Sequence, residues 1–165
     1  MSEKPIFKGV SHVSVVVRNL DEAVKKYWEE YGIGPWGIHT YDSSVVSNMT
    51  IRGQRVDHSM RWATTDMGGI LLELVEPLDE KSIYAEFLKE HGEGLHHVGF
   101  AVDDYDEALA FFQSKGIGEL QGGVPLPGYG VPYTYIDSED TLSFIAEFCD
   151  EPEGSESPAP DATYP

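Results

Sequence analysis

Four residues of this chain have side chains that hold metals and move protons, and they fall into two matched pairs: His12 with His97, and Glu73 with Glu147. Each histidine opens an apolar run, "HVSVVV" and "HVGFAV", and each glutamate interrupts one, "LLELVEP" and "FIAEFC". A carboxylate amid apolar strand neighbours is costly to bury unless it is paired or binds a metal. Two imidazoles and two carboxylates that converge form a donor set for one borderline divalent ion, Zn, Mn, Co, Ni or Fe, with positions left for water or substrate. Such an ion polarises a carbonyl and eases loss of the adjacent proton, which a nearby carboxylate can carry.

The elements that must bring these residues together come from an internal repeat. "HVSVVVRNLDEAVKKYWEEYGIG" from His12 aligns with "HVGFAVDDYDEALAFFQSKGIG" from His97, matching His-Val, the apolar run, Asp-Glu-Ala, an aromatic at Tyr27 and Phe112, and Gly-Ile-Gly. Each copy reads as a strand (10–17, 96–102), an acid-capped amphipathic helix ending near Tyr31 or Lys115, and three further strands. Those strands are expected at 36–42, 56–65 and 70–76 in the first copy and at 118–123, 131–137 and 142–149 in the second. Gly32 and Gly116 stand where left-handed residues end helices, and "DMGG" at 66–69 is a hairpin turn. "SIYAEFLKEHG" from Ser82 is a linking helix, with Ile83, Phe87 and Leu88 as its buried stripe.

The fold class is therefore α+β: two tandem βαβββ modules, about 7–77 and 94–149, related by a pseudo-twofold axis and curled into one open barrel around the metal site. The axis sets His12 against His97 and Glu73 against Glu147. Strand alternation places His12, Ser14 and Val16 on the inner face of the first strand, and His97, Gly99 and Ala101 on that of the fifth. His96 then falls on the opposite, helix-covered side as a structural residue, while His39, His58 and His91 read as exposed or capping.

Composition bounds the partners. With 11 Lys and Arg against 29 Asp and Glu, the formal charge of −18 argues against nucleic acid and anionic membranes as partners. Cys149 is the single cysteine, which excludes an internal disulfide and suits a reducing, cytoplasmic setting. No apolar run approaches the ~20 residues of a membrane span. From Asp150 the chain carries five acids, no bases and four prolines, and is expected to be a mobile, solvated end outside regular structure.

The paired units, with opening strands "SHVSVVV" and "LHHVGFAV", resemble the vicinal oxygen chelate superfamily over about residues 7–150. That superfamily includes glyoxalase I, methylmalonyl-CoA epimerase, extradiol dioxygenases and the bleomycin- and fosfomycin-resistance proteins. "LLELVEPLDEKS" and "HGEGLHHVGFAVDD" look most like its epimerase branch. The resemblance implies metal ligands at His12, Glu73, His97 and Glu147, and a homodimer. The epimerase usually has glutamine at the position of Glu73, so this donor set is nearer to bacterial glyoxalase I. The epimerase's third-strand glutamate falls here near Met60 or Arg61, where no carboxylate stands.

Three function classes follow. The first is a divalent-metal-dependent isomerase, epimerase or lyase that enolises a small oxo- or acyl-substrate, with Glu147 or Glu73 as ligand and base in turn. In that reading His58, on the same face as Met60, is a candidate for proton transfer, and Arg61 and Tyr135 for substrate contact, with Tyr129 and Tyr133 near the same wall. The second is a non-haem Fe(II) dioxygenase built on His12, His97 and Glu147. The third is a metal-free ligand-sequestering protein of the bleomycin-resistance type. Fold alone does not separate them.

Overall fold

The computed structural model describes residues 4–151 and 157–165. In chain order the elements are β1 (Phe7–Val16), α1 (Leu20–Tyr31), β2 (Trp36–Tyr41), β3 (Val46–Ile51), β4 (Gln54–Arg55), β5 (Met60–Asp66), β6 (Leu71–Pro77), α2 (Ile83–His91), β7 (Gly94–Val102), α3 (Tyr105–Ser114), β8 (Glu119–Pro125), β9 (Tyr133–Ile136), α4 (Glu139–Leu142), β10 (Ile145–Cys149) and β11 (Ala162–Tyr164).

The repeat is carried into the topology. One curled, open sheet runs β11-β2-β5-β6-β1-β7-β10-β9-β8-β3-β4, so the two modules are mirrored about the antiparallel β1–β7 pair at its centre. Within each module the first strand pairs in parallel with the last, β1 with β6 and β7 with β10. That pairing places Glu73 and Glu147 on strands flanking the two histidine strands.

Local sequence explains the helices. Asn19 and Asp104 accept from the backbone N–H groups of Glu22 and Glu107, at 3.1 and 2.8 Å, and satisfy donors that a helix start leaves unpaired. Gly32 ends α1 at φ 67°, a conformation that glycine adopts without strain. Apolar residues sort by strand parity. Val15 and Val17 join Leu72 and Leu74 beneath α1, while Phe100 and Val102 join Ala146 and Phe148 beneath α3. The linking helix α2 instead sits on the concave side, where Ile83 and Tyr84 are fully buried beside Val16 and Tyr135. Among the described residues no helix is long and apolar enough to cross a membrane.

Two segments differ from the sequence reading. The strand expected at 56–65 begins only at Met60, and β3 and β4 precede it as a hairpin whose turn residues, Arg52 and Gly53, both have positive φ. β3 then crosses to the second module and pairs with β8, covering the edge that module would otherwise expose. The acidic tail also supplies a strand: β11 pairs with the β2 edge. Asp161 anchors it, donating its N–H to the Ile38 carbonyl at 2.8 Å and accepting the Thr40 N–H at 2.8 Å. The tail's composition argues against regular structure, but an unpaired strand edge recruits its backbone, and Tyr164 then packs against the cluster beneath α1. Residues 152–156, part of the tail expected to be mobile, lie outside the described residues.

Candidate metal centre and cavity

His12, His97 and Glu147 meet at the centre of the concave face, each offering a ligand atom within 4.8 Å of the other two. His12 Nε2 lies 2.7 Å from Glu147 Oε2, and His97 Nε2 lies 3.2 Å from both His12 Nε2 and Glu147 Oε2. Glu73 stands beside this group, its Oε1 3.4 Å from His97 Nε2 and 2.9 Å from the Ser14 hydroxyl that donates to it. All four residues named from the repeat therefore come together, three as a tight cluster and Glu73 at its flank. The chemistry of the set fits a divalent ion: two imidazole nitrogens and a carboxylate oxygen converge in a largely buried place, with a second carboxylate within reach.

Electrostatics also hold the side chains of the cluster together. Burial alone would push the His12 imidazole down, but the adjoining Glu147 carboxylate outweighs it and raises His12 to about 9. Burial likewise opposes charge on His97, while its hydrogen bonds to Glu147 and Glu73 raise it. Burial would raise Glu147, yet the two imidazoles hold it well below the ordinary carboxylate range.

These shifts predict two pH effects. His12, raised from 6.5 to about 9, contributes stability that is complete below 6.5 and lost as pH rises through about 9. Glu147, lowered from 4.5, contributes stability present above 4.5 and lost only as pH falls through its depressed folded value. The metal-free chain should therefore be most stable near pH 5–6. An incoming ion must also displace the His12 proton, so metal affinity should rise by about tenfold per pH unit between 7 and 9. Calorimetric metal titrations at pH 7, 8 and 9 check this, and a flat profile refutes it.

The two adjacent histidines do not divide between faces as strand alternation predicts. In the ladder with β1, Ser14 pairs with His97 and Val15 with Leu95, so His96 is skipped as the extra residue of a bulge. The bulge turns His96 to the concave side, where it packs with His97 against Tyr84 and Tyr135 and sets its Nδ1 2.9 Å from His97 Nδ1. Burial and the neighbouring His97 hold His96 well below its ordinary value, so it stays neutral and can accept the His97 Nδ1–H. That proton placement leaves His97 Nε2 free for the centre, the arrangement that outer partners impose on metal-binding histidines. His96→Ala should weaken metal binding about 10- to 100-fold while leaving one ion per chain at saturation. An unchanged dissociation constant would show His96 to be packing alone.

The cluster opens into a cavity of about 360 Å³. Tyr135 lines it as expected, its hydroxyl 2.6 Å from that of Tyr84, and Tyr133 lines it too. Three other candidates are placed elsewhere. Arg61 points to the outer face of β5, where it forms a two-pronged pair with Asp21 at 2.8 and 3.0 Å and lies 3.6 Å from Glu76. Parity explains this, because Met60 and Trp62 take the cavity side. His58 precedes β5 and is buried away from the cavity, with neither ring nitrogen hydrogen-bonded. Tyr129 is exposed, and its backbone is what is engaged, the carbonyl accepting the Tyr41 hydroxyl and the N–H donating to the Leu126 carbonyl at 3.0 Å.

Sequence reasoning missed the wall opposite. His39, read as exposed or capping, is buried in the cavity wall and stacks on Trp62 at 4.0 Å between ring centroids. Tyr41 adds an edge contact to Trp62 at 5.2 Å. The signal was present as alternation in "WGIHTY" and "MRWATT", which puts His39, Tyr41, Met60 and Trp62 on one face. Cys149 is half-buried in the same cavity, its sulfur 3.8 Å from Glu147 Oε1.

Comparison with known proteins agrees with the fold. Residues 11–135 match the Glyoxalase/Bleomycin resistance protein/Dioxygenase superfamily. The chain is 26% identical over 148 residues to an uncharacterised Bacillus subtilis protein, YqjC, covering 89% of this chain and 94% of that one. It is 27% identical over 139 residues to the human mitochondrial methylmalonyl-CoA epimerase, covering 84% and 71%. Among solved structures, a single-substitution variant of Streptomyces coelicolor methylmalonyl-CoA epimerase, in complex with 2-nitronate-propionyl-CoA, superposes with a TM-score of 0.61 at 26% identity over 92% of this chain and 99% of that one.

Proposed function

The chain belongs to the Glyoxalase/Bleomycin resistance protein/Dioxygenase superfamily, and we propose that within it the protein is a divalent-metal-dependent isomerase or epimerase that enolises a small oxo- or acyl-substrate. The observation that carries this reading is the buried cluster of His12, His97 and Glu147 with Glu73 beside it, open to a cavity. Sequence relatives that are methylmalonyl-CoA epimerases support the reaction class.

His12, His97 and Glu147 would hold the ion, which when bound supplies Lewis acidity toward substrate oxygens. The chain's own groups do the rest. His96 keeps the His97 proton on Nδ1, away from the centre. The Ser14 hydroxyl orients Glu73 by donating to Oε1, and Glu73 takes the proton from the carbon beside the substrate carbonyl and delivers it to the adjacent carbon of the enolate, or, for an epimerase, reprotonation comes from the opposite face. The aromatic walls exclude water, which strengthens each charge interaction inside.

The test is elemental analysis of protein purified without added metal or chelator, beside Glu73→Ala. About one equivalent of Mn, Co, Ni or Zn per chain, with solvent deuterium exchange into 2-oxo or acyl substrates that Glu73→Ala abolishes, is the expected result. A metal-free protein of full stability would overturn it in favour of ligand sequestration. The two-histidine, one-carboxylate cluster itself favours a second reading, a non-haem Fe(II) dioxygenase. Iron retained in Glu73→Ala together with substrate-dependent oxygen uptake would establish that reading instead.

A further inference from the structure

We infer that this cavity takes a compact substrate with an aromatic or apolar body and no phosphate, not a coenzyme A thioester. The inference rests on the reading above only for how the substrate's oxygens are held, and its own basis is the cavity wall. Among the described residues no lysine or arginine lines the cavity, and residues 1–3 and 152–156 contain none by sequence. The cations nearest in sequence to its wall are engaged elsewhere: Arg61 with Asp21 behind β5, Lys8 with Asp103, and Lys81 with the Asp57 carbonyl. Carboxylates take their place, with Glu73 and Glu147 at the base and Glu151 on the lining near the tail.

A coenzyme A thioester carries a diphosphate and a 3′-phosphate, and on a chain of net charge −18 it meets no lysine or arginine among the described lining residues. The imidazoles of His12 and His97, or an ion they hold, offset Glu73 and Glu147 at the base, so the repulsion comes from Glu151 on the lining and from the net charge of the chain, and acts on approach as well as in the complex. The wall that remains is aromatic. Trp62 is backed by His39 in a stack at 4.0 Å and 14°, and braced at its edge by Tyr41, so the ring is held in place before any ligand arrives. Preorganised aromatic surface binds a flat or apolar group with little ordering cost. At about 360 Å³ the cavity lies near the small end of the ~300–1,000 Å³ range of small-molecule sites.

The experiment compares two probes by calorimetry on the full chain, metal-loaded and metal-stripped. Benzohydroxamate offers an aromatic ring and two adjacent oxygens, and methylmalonyl-CoA offers the thioester with its phosphates. Benzohydroxamate should bind the loaded protein at least about 30-fold more tightly, and added salt should narrow the gap by screening the coenzyme's repulsion. Trp62→Ala should weaken benzohydroxamate about tenfold, and Trp62→Phe should restore most of the loss. Equal or tighter binding of methylmalonyl-CoA overturns the inference, as does benzohydroxamate binding indifferent to Trp62→Ala. If the same order of affinities persists with and without metal, the substrate class stands while the metal-site reading fails. If binding needs metal but the order is reversed, the metal-site reading stands while the substrate class fails.

Discussion

Gly99→Ala should strip the protein of its metal while leaving every candidate ligand in the sequence. Gly99 on β7 lies opposite His12 on β1, and the His12 ring lies directly over it. A Cβ at Gly99 would sit 2.0 Å from His12 Cε1, 2.2 Å from Nδ1 and 2.6 Å from Nε2, distances that no side chain tolerates. The ring must swing away, and with it goes the 2.7 Å contact to Glu147. Losing a ligand should cost more than the 10- to 100-fold typical of losing an outer partner, so metal affinity should fall by more than about 100-fold. Metal titration checks this, with circular dichroism to show that the sheet persists. Ser14, which occupies the equivalent place opposite His97, is the control. Ser14→Ala removes only the hydrogen bond to Glu73 and should keep the ion. A Gly99→Ala protein with wild-type metal affinity would mean that His12 is no ligand.

Glu147→Gln should have the second large effect, and a different one from Glu73→Gln. The Glu147 carboxylate is what both imidazoles face, and its charge is what raises His12 against the influence of burial. With the neutral amide in its place, burial is left as the main influence, and His12 should titrate below 6.5 instead of near 9. The imidazole proton signals in an NMR pH titration read this directly on metal-free protein. Metal affinity should fall by more than about 100-fold as well, since the anionic ligand is gone. Glu73→Gln, in contrast, should keep the ion with weakened affinity and lose solvent deuterium exchange, because that residue flanks the cluster and is held by Ser14. Equal metal loss in both variants would make Glu73 a full ligand and leave the proton to another group.

Much of this was legible in the chain itself. The repeat of "HVSVVV" and "HVGFAV" implies two like modules, and two like modules imply a twofold meeting point, so the convergence of His12, His97, Glu73 and Glu147 follows from the primary structure. Helix caps at Asn19 and Asp104, and the turn at Gly32, were equally readable, because each is a contact among residues a few positions apart. The inward faces of β1, β5 and β10 obeyed simple alternation.

What the chain alone does not determine depends on partners distant in sequence. Alternation sends His96 outward, yet the ladder between β7 and β1 inserts a bulge there and turns it in, 2.9 Å from His97. Whether a strand slips by one residue is settled by hydrogen bonds to a strand some eighty positions away. The same holds for β3, which closes an edge of the other module, and for β11, which the tail's composition argued against. Arg61 and His58 were drawn toward the site by type, and placed away from it by parity and by the late start of β5. Residue type and local spacing thus determined which atoms can do chemistry here, while the long-range pairing of backbone edges decided which of them face the same space.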